Sequence, residues 1–183
     1  MTTDLRTKLM PHERMLWSGI PAQGWMFTSS DIFLIPFSVL WLGFVTFWEF
    51  GVHDNGVPWF FMLWGAMFLV VGLFFFIGRF VLDAWLRRQT SYAVTDQRIL
   101  IARAAPWARF TAIEFDRLPE MTLVGEGRPR SSIRFGAAAA LNNRSLTIWT
   151  PSLDPVPQFL GIPDAAHVFA MISDASRKAR AAR

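Results

Sequence analysis

The sequence contains no cysteine, and this absence excludes several kinds of chemistry. Without thiols there is no disulfide framework, no thiolate metal site and no cysteine nucleophile. Other catalytic signatures are also missing: no serine lies in a Gly-x-Ser-x-Gly motif, and there is no phosphate-binding loop and no HExxH pair. The three histidines, His12, His53 and His167, are far apart in the chain. We therefore expect no catalytic residues, no metal site and no cofactor.

Charge is nearly absent from two long apolar runs, around which the chain is organised. Residues 32–50 contain one ionisable side chain, Glu49, and residues 57–82 contain only Arg79. As helices, these runs have lengths of about 28 and 39 Å, and the hydrocarbon core of a bilayer is about 30 Å thick. The alternative is a helical pair in a soluble core, but a chain of 183 residues is short for covering helices that are apolar on all sides. The sequence predicts a transmembrane helical hairpin with a polar turn at residues 51–56.

Lysine and arginine are absent from this turn, and their absence predicts the orientation of the hairpin. Basic residues precede the first helix, and Arg87 and Arg88 follow the second. Because such residues concentrate on the cytoplasmic side of membranes, we expect both termini to be cytoplasmic. Tryptophans favour the headgroup region and agree with this topology. The predicted interfacial anchors are Trp17, Trp25, Trp48, Trp59 and Trp85.

Three segments follow from this topology: an arm at residues 1–30, the hairpin at 31–88 and a cytoplasmic domain at 89–183. The arm contains an amphipathic stretch at residues 13–21 that ends in Gly and Pro. Two placements remain open for this stretch, because it can lie on the membrane surface or dock against the cytoplasmic domain. Asp31 is a candidate N-cap of the first helix.

Apolar alternation replaces helical periodicity after Gln89. Short runs separated by Gly, Pro and Asn predict an antiparallel sheet, with a tight turn at Asp96 and Gln97. A final amphipathic helix follows Asp164, its candidate N-cap. The fold class is therefore an α+β membrane protein in which a C-terminal helix closes the sheet. The predicted strands are residues 92–95, 98–101, 110–115, 121–124, 132–135 and 146–149.

Two motifs give the chain a resemblance to a known family. Residues 92–100 resemble the Tyr-x-x-Thr-Asp-x-Arg-Ile hairpin of the bacterial pleckstrin-homology-like family, whose members often carry this domain behind two transmembrane helices. Residues 13–21 resemble the Glu-x-x-Leu-Trp-x-Gly-x-Pro segment that precedes those helices. The resemblance implies a PH-like sheet or barrel at the bacterial inner membrane. It also implies a non-enzymatic interaction protein, such as an accessory subunit or assembly factor of a larger membrane complex.

Basic residues give a second hypothesis, a sensor of anionic lipid. Residues 84–183 contain 14 basic and 8 acidic residues, a net charge of +6, whereas residues 1–83 have a net charge of −2. Cations beside an anionic leaflet contribute about 1 kcal/mol each. Nucleic acid is not expected as a partner, because the pattern shows no stacking platform. The candidate lipid- or partner-binding residues are Arg79, Arg87, Arg88, Arg103, Arg109, Arg128, Arg130 and Arg134.

Two features within the second helix suggest further contacts. Arg79, Asp83 and Arg87 are four residues apart, so we expect them to pair in series at the inner interface. Gly65 and Gly72 place small residues on one face, where another helix can approach closely. This face is a predicted helix-packing face and hints at a helical partner. The partners expected for the protein as a whole are membrane lipid, other integral membrane subunits and a second copy of the chain.

Overall fold

The computed structural model describes residues 5–127, 130–136 and 150–181. It has an α+β fold in which two apolar helices near the N-terminus join two antiparallel sheets and a C-terminal helix. The arrangement of helices and antiparallel sheets agrees with the predicted α+β class. The helices are α1 (Asp31–Asp54), α2 (Trp59–Leu73), α3 (Arg79–Arg88) and α4 (Ala165–Ala181).

Helices α1, α2 and α3 form the apolar hairpin. A π-helical turn at Phe74–Gly78 joins α2 to α3, so Trp59–Arg88 forms one helix of 30 residues beside the 24 of α1. Both are long and apolar enough to cross a membrane. Only 22% and 11% of the residues in their most apolar windows are buried, so these helices are not the core of the sheets.

The turn of the hairpin is shorter than predicted. Gly51, expected to begin the turn, lies inside α1, and its carbonyl accepts a hydrogen bond from the Asn55 side chain at 2.7 Å. The helix ends where Gly56 adopts a positive φ of 60°, a conformation that glycine takes without steric cost. The connection to α2 therefore consists of residues 55–58.

The first sheet includes a strand from the N-terminal arm. Its order is β1-β2-β3-β4, and all its neighbours are antiparallel. Because β1 pairs directly with β2, the whole apolar hairpin is inserted between two adjacent strands. Two placements were considered for residues 13–21, and in the structure this stretch pairs with the sheet. The sheet therefore combines a strand from the predicted arm (residues 1–30) with strands from the predicted domain (residues 89–183). The strands are β1 (Met15–Gly19), β2 (Thr90–Thr95), β3 (Arg98–Arg103) and β4 (Arg109–Glu114).

The second sheet has the order β5-β6-β7 and contributes to the same core. Strands β5 and β6 occupy predicted positions, whereas β7 was not predicted; residues 146–149, a predicted strand, lie outside the described residues. The core combines side chains from both sheets with Val168 and Ile172 of α4. The strands are β5 (Met121–Val124), β6 (Ser131–Phe135) and β7 (Gln158–Ile162).

The tight turn at Asp96 and Gln97 is confirmed, with Thr95 as its principal hydrogen-bonding side chain. The Thr95 hydroxyl accepts from the amides of Gln97 at 3.2 Å and Arg98 at 3.0 Å. Asp96 accepts instead from the amide of Arg14, and so ties the turn to the arm. The turn and the segment that precedes β1 are therefore one structural unit.

Candidate functional site

Most of the predicted binding arginines have internal partners. Arg79 is buried and forms an ion pair with Asp31, not with Asp83 as the spacing suggested. Asp31 is accordingly not an N-cap: besides Arg79, its carboxylate accepts from the amide and hydroxyl of Thr28. This ion pair fixes the start of α1 to the start of α3.

Arg87 is also buried and forms the second ion pair of this region. Its Nε donates to Asp83 at 2.8 Å, and its guanidinium donates to the carbonyls of Ala22 and Gly24. Asp83 accepts in turn from the amide of Ser152 at 3.0 Å. We call Asp31, Arg79, Asp83, Arg87 and Ser152 the junction cluster, because they connect the hairpin to the arm and to the segment before β7. Neither Arg79 nor Arg87 presents its charge on the surface.

The basic residues of the sheets do not form one surface. Arg134 pairs with Asp154 at 2.7 Å, and the exposed Arg130 lies near the carbonyl of Gln23. Arg128 lies outside the described residues. Arg88 is exposed on the last turn of α3. Of the predicted arginines that the structure describes, Arg87, Arg103 and Arg109 line one cavity, and Arg103 and Arg109 have no carboxylate partner there.

Arg103 and Arg109 lie opposite each other on adjacent strands and line a cavity of about 50 Å³. Its floor consists of two rows of side chains on one face of the first sheet, and residues 151–158 form its wall. We call this space the cationic cavity. The floor rows are Thr90, Arg103 and Arg109, and then Tyr92, Ile101 and Thr111.

Hydrogen bonding in the cationic cavity is incomplete. Arg103 donates from Nη2 to the carbonyl of Ser152 at 2.6 Å, but its Nε is buried without a partner. The Ser152 hydroxyl is also buried without a partner. Burial and the nearby charge of Arg109 lower the pKa of Arg103 from its ordinary value. Buried donors without acceptors are costly, so the cavity is suited to an anion.

The predicted helix-packing face is occupied within the chain. A Cβ atom at Gly72 would lie 2.7 Å from Leu42 and 2.8 Å from Trp41, and one at Gly65 would overlap the carboxylate of Glu49. The helix that approaches this face is therefore α1 of the same hairpin. Gly65 and Gly72 therefore pack against a helix, as their spacing suggested, and that helix belongs to the same chain.

Four of the five predicted tryptophan anchors have surface positions. Trp25, Trp59 and Trp85 are exposed and Trp48 is half-buried, with Trp25 stacked on Phe80. Trp17 differs, because it is half-buried on β1 and contacts Phe159 of the core at a centroid distance of 5.7 Å. Trp17 is a core-packing residue and not an interfacial anchor.

An apolar groove lies on the hairpin between α1 and α2. It encloses about 170 Å³ and is lined by Trp41, Phe44, Val45, Trp48 and Phe68. Trp41 bridges the two helices by donating to the carbonyl of Phe68 at 3.3 Å. The groove has no charged lining residue, so it can accept only apolar groups.

Sequence reasoning missed the roles of Glu13 and Ser152. Glu13 accepts from Arg98 and Thr95 at 2.8 Å and is buried beneath the turn of β2 and β3. Ser152 belongs to the junction cluster, and no sequence signal marks it. Of the other acidic residues in the cluster, Asp31 was predicted as an N-cap, and the pairing predicted between Asp83 and Arg87 is confirmed.

Among residues 5–127, 130–136 and 150–181, no three His, Asp or Glu side chains come together as a group that could hold a metal ion. Comparison of the whole chain with protein-family models, curated proteins and solved structures finds no match. The geometry of the junction cluster, the cationic cavity and the apolar hairpin is therefore the basis for the functional proposals.

Proposed function

We propose that the chain is a non-enzymatic, membrane-anchored interaction protein, an accessory subunit or assembly factor of a larger complex in a bacterial inner membrane. The hairpin spans the bilayer, both termini are cytoplasmic, and the two sheets with α4 form a PH-like domain at the inner face. The resemblance of residues 13–21 and 92–100 to the bacterial PH-like family supports this proposal, as does the distribution of Lys and Arg.

The exposed apolar surface of the hairpin carries the proposal. Large side chains are uncovered along both helices, including Ile32 at 85%, Phe47 at 79% and Trp59 at 73% of full exposure. A soluble monomer rarely exposes so continuous an apolar surface, which marks contact with lipid or protein. The exposed aromatic side chains and the apolar groove can pack against a neighbouring transmembrane segment. Such packing drives the association of helices in lipid.

The junction cluster supports an interaction role over a simple anchor. A tether needs only a flexible linker, but here the buried pair Asp31–Arg79 joins the two helices. Arg87 donates to the Ala22 and Gly24 carbonyls of the arm, and Asp83 accepts from the Ser152 amide. These contacts give the helices and the sheets a fixed relative geometry, which lets one partner contact both together. The junction therefore holds two binding surfaces in one orientation.

Affinity purification from native membranes tests the proposal. The tagged full chain is extracted in a gentle detergent, and the proteins recovered with it are quantified by mass spectrometry against a tag-only strain. We expect a reproducible, stoichiometric set of integral membrane proteins. Recovery of the chain alone from membranes that express it at native levels would contradict the proposal.

A second candidate is a sensor of anionic lipid at the membrane surface. The broad basic face first expected for it loses Arg79, Arg87 and Arg134 to ion pairs. Its support now rests on Arg103 and Arg109, whose charges face each other at one end of the first sheet. An integral membrane protein floats with any liposome that contains it, so flotation does not report on headgroup binding. This candidate needs a measurement of anion binding at the cavity lined by Arg103 and Arg109.

A further inference from the structure

Two like charges face each other on the floor of the cationic cavity. Arg103 and Arg109 are directly opposite in the antiparallel register of β3 and β4, so their side chains leave the same face of the sheet as close neighbours. Like charges in this arrangement destabilise a sheet. An anion between them would reverse the sign of the interaction.

The charge of the cavity is not balanced by its own lining. Arg87 is neutralised by Asp83, and Asp154 is neutralised by Arg134. Arg103 donates to a carbonyl but has no carboxylate partner, and the exposed Arg109 makes no hydrogen bond or ion pair with another described residue. Two positive charges therefore remain at the cavity within the part of the chain that the structure describes.

Two donors without acceptors belong to residues that line the same space. The Arg103 Nε on the floor and the Ser152 hydroxyl on the wall are both buried without acceptors, and Ser152 is only 6% exposed. A volume of about 50 Å³ exceeds the 10–15 Å³ that one water needs, so a small polyatomic anion fits.

We propose that the cationic cavity binds one phosphate group through Arg103, Arg109 and Ser152. A tetrahedral phosphate presents oxygens both to the floor and to the wall, whereas a planar carboxylate presents two oxygens in one plane. Arginine guanidinium groups match phosphate in bidentate geometry, and the Ser152 hydroxyl supplies a donor from the opposite side. The bound phosphate would neutralise Arg103 and Arg109 and would accept hydrogen bonds from the Arg103 Nε and the Ser152 hydroxyl.

The phosphate has two possible sources, a lipid headgroup or a free phosphate. In the proposed topology, Arg87 on the cavity rim belongs to the last turn of the second helix, and Ser152 is bonded to Asp83 one turn earlier. The cavity therefore lies at the level of the inner-leaflet headgroups, where lipid phosphodiesters are abundant. Binding of free phosphate requires neither membrane placement nor a partner complex, so this inference and the interaction role can fail separately.

The test uses the purified full chain in a maltoside detergent, which contains no phosphate, and in nanodiscs of phosphatidylcholine with and without phosphatidylglycerol. Thermal unfolding is followed against inorganic phosphate concentration, and native mass spectrometry counts retained lipids. A phosphate-dependent rise in Tm in the detergent, with no equal rise from acetate, identifies a soluble ligand. One phospholipid retained per chain from the nanodiscs identifies a lipid phosphate. Either result supports the site if the variants below abolish it.

Arg109→Gln is the principal variant, because Arg109 is exposed and its removal leaves the core intact. We expect at least a tenfold loss of affinity for the phosphate ligand, the effect of a lost charged hydrogen bond. In phosphate-free maltoside detergent the same variant should have a higher Tm than the native chain, because the like-charge contact is relieved. A purely structural arginine would give the opposite shift.

Two other variants complete the test. Ser152→Ala should weaken phosphate binding without changing the charge, and Arg180→Gln, which removes a cation from exposed α4 outside the cavity, should bind as the native chain does. The proposal is overturned if neither ligand binds, if acetate has the same effect as phosphate, or if Arg109→Gln and Arg180→Gln behave alike.

Discussion

Glu13 is a buried residue of the arm with hydrogen bonds to both the arm and the first sheet. Its carboxylate is buried and accepts from Arg98, from Thr95 and from the amide of Met10. Burial raises the pKa of Glu13, but these hydrogen bonds outweigh burial and hold the pKa below its ordinary value. The same hydrogen bonding raises the pKa of Arg98. One acidic side chain thus connects the segment before β1 to the turn of β2 and β3.

The lowered pKa of Glu13 predicts a defined pH dependence. A depressed carboxyl pKa contributes stability above the unfolded value and loses it as the pH falls through the folded value. Glu13→Gln should therefore lower the stability at pH 7 by about 2 kcal/mol. The difference in Tm between native chain and variant should shrink as the pH falls below 4.5, the ordinary value for this group.

Thermal unfolding of both proteins in one detergent, between pH 3.5 and 7.5, measures this difference. Arg177→Gln is the control, because its ion pair with Asp174 is exposed and should leave Tm unchanged. If the difference in Tm between the native chain and Glu13→Gln stays constant with pH, the charge of the Glu13 carboxylate does not contribute to stability.

Local spacing identified one charged pair of the second helix and missed the other. Asp83 and Arg87, four residues apart, pair as predicted. The same spacing predicted a pair between Arg79 and Asp83, but Arg79 instead contacts Asp31, 48 positions away. Helix periodicity describes neighbours within a helix, whereas this contact depends on how the two helices cross. Tyr92, the first residue of the hairpin motif, is buried in the core, and its hydroxyl accepts from the amide of Leu160.

At the scale of elements, the hairpin depends on close contact between α1 and α2. Gly72→Leu should force Leu42 and Trp41 of α1 aside and destabilise the chain by about 1–3 kcal/mol, the usual cost of overpacking. Gly43→Leu is the matched control, because a Cβ at Gly43 meets no atom within 4 Å. Tm in detergent measures both variants, and equal Tm values would contradict the packing described.

The ion pair between Asp31 and Arg79 is a second element-scale contact that can be tested. Arg79→Leu leaves the Asp31 carboxylate buried without its guanidinium, and we expect a loss of about 3–5 kcal/mol. Asp31→Leu should have a similar effect, but the double variant should recover most of the loss, because two apolar side chains can replace a buried pair. A double-mutant cycle on Tm gives the coupling, and additive losses would show that the two residues act independently.

The elements themselves were predictable to different extents. The apolar helices and strands β2–β6 have strong local patterns, and the structure has them near the predicted positions. Strand β7 contains Gly161 at a positive φ of 57°, and Pro163 follows it, so its alternation is interrupted. Strand β1 is only five residues long, and its partner β2 begins 71 positions after it ends. Long-range pairing of short strands leaves little trace in sequence.

At the scale of the whole molecule, insertion of the hairpin between β1 and β2 predicts how the chain can be divided. Residues 5–24 joined by a short Gly/Ser linker to residues 83–181 should fold as a soluble domain, since Arg87 contacts the carbonyls of Ala22 and Gly24. Residues 89–181 alone lack β1 and Glu13, so they should aggregate through the uncovered edge of β2. Cooperative unfolding and size-exclusion chromatography distinguish the two, and a well-folded 89–181 fragment would contradict this account.

The central claim is that the chain interacts with other membrane proteins. Site-specific photo-crosslinking to neighbouring proteins in native membranes tests this claim most directly. A photoreactive amino acid is placed singly at the exposed positions Phe47 on α1, Trp59 on α2 and Trp107 before β4, with Leu34, which is buried on α1 outside the apolar groove, as control. The account predicts discrete protein adducts at one or more exposed positions and none at Leu34. Protein adducts at none of the exposed positions, in membranes where the chain is present at native levels, would contradict it.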